Sequence, residues 1–171
     1  MAVVSTDNTL TVDANVIGYY FQFLWKNSLP AGLGSRRIGD FCTCIVEKYP
    51  IAFNEFIETE YRALVGYEQI KIWLTKRLQK DLAIKVERLS LENSIKSRLR
   101  NDYGFDCNSM DAKYIETCNN TIFKHFVTEN TAHFIRPHRT GKRQPMHDFL
   151  RYRLGIQISK IDDCCNLLLT P

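Results

Sequence analysis

Short apolar runs bounded by turn residues alternate along the chain with longer stretches whose apolar residues recur at helical spacing. That alternation is what most limits its fold. Residues 8–12 read as a short strand with Leu10 and Val12 on one side, stopped by Asp13. Asn15 can cap a following helix over residues 16–26, apolar nearly all round and therefore expected to be buried. Pro30, Gly32 and Gly34 break the chain across residues 27–35. Ile38, Phe41, Cys42, Ile45 and Val46 then fall at i, i+3, i+4, i+7 and i+8, which predicts an amphipathic helix over residues 36–48. Ile51-Ala52-Phe53 reads as a second strand, and Asn54 opens a helix reaching about residue 65. Residues 123–127 and 155–159 supply further strands, separated by a short helix near residues 146–153. Asp162 or Asp163 starts a terminal helix. Strands alternating with helices argue for one α/β domain, three layers (α/β/α) around a central, mainly parallel sheet.

Residues 66–101 read as a helical insertion arm in that domain. Ile70, Trp73, Leu74 and Leu78 give one apolar stripe, and Ser90 is placed to cap residues 91–100; residues 83–89 fit a helix or a strand equally. Ser109 can cap a helix containing residues 111–119. No repeat or linker divides the chain, so residues 1–171 are read as a single domain. With 44% hydrophobic and 25% charged residues the chain is not a disordered one. Its 23 Lys and Arg against 19 Asp and Glu leave a charge of +4, which permits a polyanionic partner without requiring one. The N-terminal residues show no secretory signal, and the apolar run at 16–25 is shorter than the roughly 20 residues that span a bilayer. The expectation is a cytoplasmic protein, not inserted in a membrane, with free thiols. Cys42-x-Cys44 and Cys164-Cys165 lack the spacing of structural zinc sites, and all six cysteines read best as small buried hydrophobes.

Four polar positions stand where strands end or on apolar helix stripes. Asp13 directly follows the first strand, where open α/β sheets bind ligands; its ordinary role would be to begin the turn or cap the helix. Glu60 lies three residues after Ile57 and four before Leu64, on the apolar stripe with Phe56, while Glu55, Glu58 and Arg62 point the other way. A carboxylate on such a stripe is costly unless paired or bound to a cation, and a salt bridge to the arm would serve as well as a ligand. Asp111 shares a face with Tyr114, Ile115 and Cys118, although an acid in a first helical turn is also favoured by the helix dipole. Thr128-Glu129-Asn130 closes the third strand, with Glu129 or Asn130 facing the crevice if the segment is more than a turn. Three unit charges about 5 Å apart repel by roughly 3 kcal/mol per pair at an effective dielectric near 20. Such a cluster calls for protonation or for a hard cation, and all-oxygen donors suit magnesium or manganese. A divalent ion held there can activate water and stabilise charge on a phosphate oxygen, which points to phosphodiester hydrolysis.

The same residues carry a resemblance. Val12-Asp13-Ala14-Asn15-Val16-Ile17 resembles the opening motif of PIN domains, and residues 51–64, with Glu60 before Tyr-Arg-Ala-Leu, resemble the second. Asp111-Ala-Lys-Tyr-Ile-Glu-Thr-Cys118 resembles the third, with Cys118 where Ala is usual. Val127-Thr128-Glu129-Asn130 followed by His133-Phe134 resembles the fourth. The motifs follow family order from Asp13 to Phe134. The resemblance implies a PIN-like fold and a Mg2+- or Mn2+-dependent endoribonuclease similar to the VapC-like ribonucleases, often the toxin of a toxin–antitoxin pair. It implies Asp13, Glu60 and Asp111 as metal ligands, Asn130 in the fourth catalytic position, and Asn15 and Thr128 as orienting groups. RNA, an antitoxin protein and a second copy of the chain are the partners it implies. Asn130 in place of an acid departs from the pattern, and with the long arm it supports the alternative of a catalytically weak RNA- or protein-binding module. A phosphatase using Asp13 as nucleophile is disfavoured, because Asn15 replaces the second acid of an Asp-x-Asp pair.

Positive charge gathers in two stretches that could flank the acids. The arm carries Lys71, Lys76, Arg77, Lys80, Lys85, Arg88, Lys96, Arg98 and Arg100; the later region, residues 136–153, carries Arg136, Arg139, Lys142 and Arg143, followed by Arg151 and Arg153. Basic walls suit an anionic backbone, and Arg136, Arg139, Lys142 and Arg143 are the candidate nucleic-acid contacts. Solvated helix faces and an ordinary surface loop would look the same in sequence.

Overall fold

Five strands of three residues each form one sheet, every strand pairing in parallel with its neighbours. They are β1 (Leu10–Val12), β2 (Ile51–Phe53), β3 (Ala83–Lys85), β4 (His125–Val127) and β5 (Gln157–Ser159), in the order β3-β2-β1-β4-β5. The computed structural model describes residues 8–26, 36–87, 89–141 and 143–169. The expected loop at 27–35, together with Arg88 and Lys142, lies outside those residues. The helices are α1 (Ala14–Lys26), α2 (Ile38–Asp40), α3 (Glu55–Val65), α4 (Tyr67–Leu78), α5 (Asn93–Tyr103), α6 (Met110–Asn119), α7 (Met146–Leu154) and α8 (Ile161–Leu169). They cover the parallel sheet in a three-layer α/β/α arrangement. β1, β2 and β4 are buried along their whole length, Thr11 and His125 included, as strands of a parallel sheet covered on both faces are. Strand order reverses between β1 and β4, so the crevice beyond their carboxyl ends is the topological switch point of the sheet.

Five hydrogen bonds fix the helices around that crevice. The Asn54 side chain caps α3 by accepting from the Phe56 and Ile57 amides at 3.1 and 3.2 Å, and its Nδ2 donates to Thr117 Oγ1 of α6 at 2.7 Å. The buried Tyr61 hydroxyl of α3 donates to the Val12 carbonyl at 2.6 Å, at the end of β1. Ser109 caps α6 as its position in the sequence predicts, accepting from the Ala112 amide at 3.3 Å. Gly18 lets α1 approach α3 closely: a Cβ there would meet Leu64 Cδ2 at 2.8 Å.

Several local expectations change. Helix α1 starts at Ala14, so Asp13 and not Asn15 stands at its cap, and Asn15 is exposed in the first turn. The helix over 36–48 winds as a π-helix from Phe41–Val46, yet Ile38, Phe41, Cys42, Ile45 and Val46 are all buried as the spacing predicts. The ambiguous stretch 83–89 contributes strand β3 at the sheet edge, between two helices of the arm. Ser90 does not cap the helix that follows, which begins at Asn93 behind Glu92. Five of the six cysteines are buried, Cys44 is half-buried, and all six are free thiols. Burial pushes the Cys42, Cys118 and Cys164 thiols up to about 12, which keeps them protonated. Among the described residues no helix is long and apolar enough to cross a membrane.

Candidate functional site

A cleft of about 400 Å³ opens at the carboxyl end of β1 and β4, lined by Asp13, Asn15, Glu60, Asp111, Tyr114, Asn130 and His133 among others. Four elements contribute. The turn between β1 and α1 brings Asp13 and Asn15; α3 brings Glu60; α6 brings Asp111 and Tyr114; the segment after β4 brings Asn130 and His133. Every sequence-predicted catalytic position, Asp13, Glu60, Asp111 and Asn130, therefore lines one cleft.

The hydrogen bonds of each acid are specific. Asp13 Oδ2 accepts from the Thr128 hydroxyl at 2.6 Å and Oδ1 from the Asn15 amide at 3.3 Å. Thr128 is fully buried, and its hydroxyl also accepts from the Asn130 amide at 3.0 Å, which fixes that segment beneath the cleft. Glu60 Oε2 accepts from the Tyr114 hydroxyl at 2.8 Å, and the same hydroxyl accepts from the Ala14 amide at 3.0 Å. Asp111 Oδ2 lies 2.8 Å from His133 Nδ1. Asn130 Nδ2 lies 3.2 Å from His133 Nδ1 and 3.3 Å from its Nε2.

The electrostatics follow from burial. Desolvation raises the Asp13 carboxyl above the ordinary carboxylate range; Thr128 and the Asn15 amide oppose this, and the negative charge of Asp111 adds to it. Desolvation also raises Glu60, opposed by the Tyr114 bond and reinforced by the charges of Asp13 and Asp111. Glu60 thus feels both other members of the trio, and Asp13 feels Asp111. Among the described residues no Lys or Arg is ion-paired with Asp13 or Glu60. The salt bridge from Glu60 to the arm, open in the sequence, is replaced by the Tyr114 hydroxyl.

Glu58, which points away from the stripe as its spacing predicts, pairs with Arg62 on its own helix and does not line the cleft. One alternative left by the sequence is resolved. Glu129 Oε1 accepts the Ile161 amide at 2.8 Å at the start of α8, so the side chain facing the cleft is that of Asn130. Leu64, expected in the buried stripe of α3, is 52% exposed at the cleft rim; Ile57 and Tyr61 hold the buried face. The Tyr114 hydroxyl and His133 are the features that the spacing of the acids did not single out. A buried tyrosine three residues from Asp111 needs a partner for its hydroxyl, and that need was the available signal.

The candidate nucleic-acid contacts divide. Arg136 is bound into the fold: its guanidinium donates to the His133 carbonyl at 2.9 Å and the Gly104 carbonyl at 3.0 Å. Arg139 and Arg143 are exposed, and Lys142 lies outside the described residues. In the arm, Arg77 is buried, donating to the Leu82 and Tyr49 carbonyls over the Trp73 ring.

The carboxylate oxygens of Asp13, Glu60 and Asp111 and the amide oxygen of Asn130 are hard donors, of the chemical kind that magnesium and manganese favour. As the side chains stand, no group of three or more His, Cys, Asp or Glu among the described residues is arranged to hold a metal ion. Asp111 is engaged by His133. The chain matches no protein-family model, no curated protein and no solved structure.

Proposed function

We propose that the protein is a PIN-like, divalent-metal-dependent endoribonuclease hydrolysing RNA phosphodiester bonds, with Asp13, Glu60 and Asp111 holding Mg2+ or Mn2+. The observation that carries the reading is the pair of half-buried acids, Asp13 and Glu60, with raised carboxyls and no Lys or Arg partner among the described residues. A cleft at a topological switch point that gathers uncompensated carboxylates favours a cation from outside the chain. When bound, such an ion supplies Lewis-acid stabilisation of phosphate charge and a more acidic water.

The chain's own groups then divide the work. Thr128 and the Asn15 amide hold both oxygens of Asp13 in one orientation. Asn130 occupies the fourth position without adding charge. Asp111 completes the set by exchanging His133 for the ion, which its half-exposed position allows. Arg139 and Arg143 are the exposed cations available to an RNA backbone. A toxin role, an antitoxin protein as partner, a homodimer and a cytoplasmic location come with the family resemblance and belong to this proposal.

The second reading is a catalytically weak RNA- or protein-binding module of the same type. It is favoured by Asn130 and by carboxylates that are not gathered around one point. One assay separates the two. Purified protein should nick single-stranded RNA on addition of Mn2+ or Mg2+, and Asp13→Asn should abolish this while leaving the circular dichroism unchanged. RNA binding without nicking at either ion would favour the module, and unchanged cleavage by Asp13→Asn would refute the assignment of the ligands.

A further inference from the structure

The Tyr114 hydroxyl bonds to two acid-bearing elements besides its own. It accepts the amide of Ala14, the residue that follows Asp13, at 3.0 Å, and donates to Glu60 Oε2 at 2.8 Å. It does so from α6, three residues beyond Asp111. A single oxygen therefore joins the β1–α1 corner, α3 and α6. The ring leaves it little freedom: Tyr114 is 2% exposed and stacks on Phe126, with centroids 5.2 Å apart and planes at 16°.

We propose that Tyr114 is a positioning residue that sets the spacing of Asp13, Glu60 and Asp111 for a divalent cation, an inference that rests on the metal-site reading above. Groups that orient a metal's ligands typically change its affinity by about 10–100-fold when removed. Tyr61 provides an internal control. It is equally buried, its hydroxyl donates to the Val12 carbonyl at 2.6 Å, and it bonds to no acid. Losing the Tyr61 hydroxyl removes one hydrogen bond and losing the Tyr114 hydroxyl removes two, but only the loss at Tyr114 releases a carboxylate.

The experiment is a Mn2+ titration, followed by calorimetry and by the electron paramagnetic resonance of free Mn2+, on the wild-type chain, Tyr114→Phe and Tyr61→Phe. Melting curves of the metal-free proteins accompany it. The expected result is a fall in melting temperature for both variants, the larger for Tyr114→Phe, with about 10–100-fold weaker Mn2+ binding for Tyr114→Phe and binding within about twofold of wild type for Tyr61→Phe. Equal binding by all three proteins, or equal weakening in both variants, would overturn the role of Tyr114 and leave the metal site standing. A Tyr114→Phe chain that fails to fold would also overturn it, because the hydroxyl would then hold the fold and not the site. A wild-type chain that binds no Mn2+ would overturn the metal site and this inference with it.

Discussion

Two kinds of acid sit in this fold, and the contrast between Glu116 and Glu60 shows what each is for. Glu116, on α6, is 2% exposed and lies 3.3 Å from Lys113 Nζ and 3.8 Å from Lys96 Nζ. Glu58, Asp40 and Asp102 are likewise matched by Arg62, Arg37 and Arg98. Among the described residues, Asp13 and Glu60 receive only neutral donors, from Thr128, the Asn15 backbone amide and Tyr114. Neutral donors orient a carboxylate but leave its charge uncompensated, and the raised carboxyls of Asp13 and Glu60 register that. The first set holds the chain together. The second has no Lys or Arg partner among the described residues.

The sharpest way to break this contrast is Asp13→Asn. It should reduce metal-stimulated RNA cleavage by more than about 100-fold, the upper range for groups that merely orient a ligand, measured on a short labelled RNA. It should also remove the thermal protection by Mn2+. At 100 times its Kd an ion stabilises by about 2.7 kcal/mol, which for a domain of this size is roughly 5–10 °C in a melting scan. Next in size is Glu116→Ala, which leaves Lys113 and Lys96 without their partner. A loss of about 1–3 kcal/mol is expected in a urea titration, with no change in Mn2+ affinity.

Glu60→Gln should act in the opposite direction on the metal-free protein. Because its carboxyl is raised on folding, the folded chain binds more protons than the unfolded one between the ordinary carboxyl value, about 4.3, and the raised one. Stability therefore falls as pH rises through that window. The amide should raise the melting temperature at neutral pH in the presence of chelator, with the gain vanishing below about pH 4. The smallest effect is expected from Arg143→Ala, an exposed residue outside the cleft. If it contacts a phosphate, RNA binding should weaken modestly and the salt slope should fall by about 1, read from affinities at several salt concentrations.

Periodicity and turn residues carry most of the fold because apolar side chains must be buried whatever their partners. Ile38, Phe41, Ile45, Ile57 and Ile115 all lie where their spacing puts them. The cleft was legible for the same reason: Asp13 ends a strand, and Glu60 and Asp111 sit in phase with buried neighbours. What the sequence leaves open is decided by single hydrogen bonds between distant segments. Glu129 turns to the Ile161 amide, 32 residues away, and so yields the cleft to Asn130. Arg136 reads as a surface cation but is held by the Gly104 carbonyl, 32 residues earlier. Asp13 displaces Asn15 as the capping residue because α1 begins at once after β1. The β3 strand depends on β2 offering a parallel edge, a condition that residues 83–85 do not contain in themselves.

Diffraction from crystals soaked in Mn2+, with data collected at the manganese edge, tests the metal centre most directly. An anomalous peak coordinated by Asp13, Glu60 and Asp111, with Asp111 withdrawn from His133, is the expected result. No peak in the cleft, or an ion bound elsewhere while Asp111 still faces His133, would contradict it.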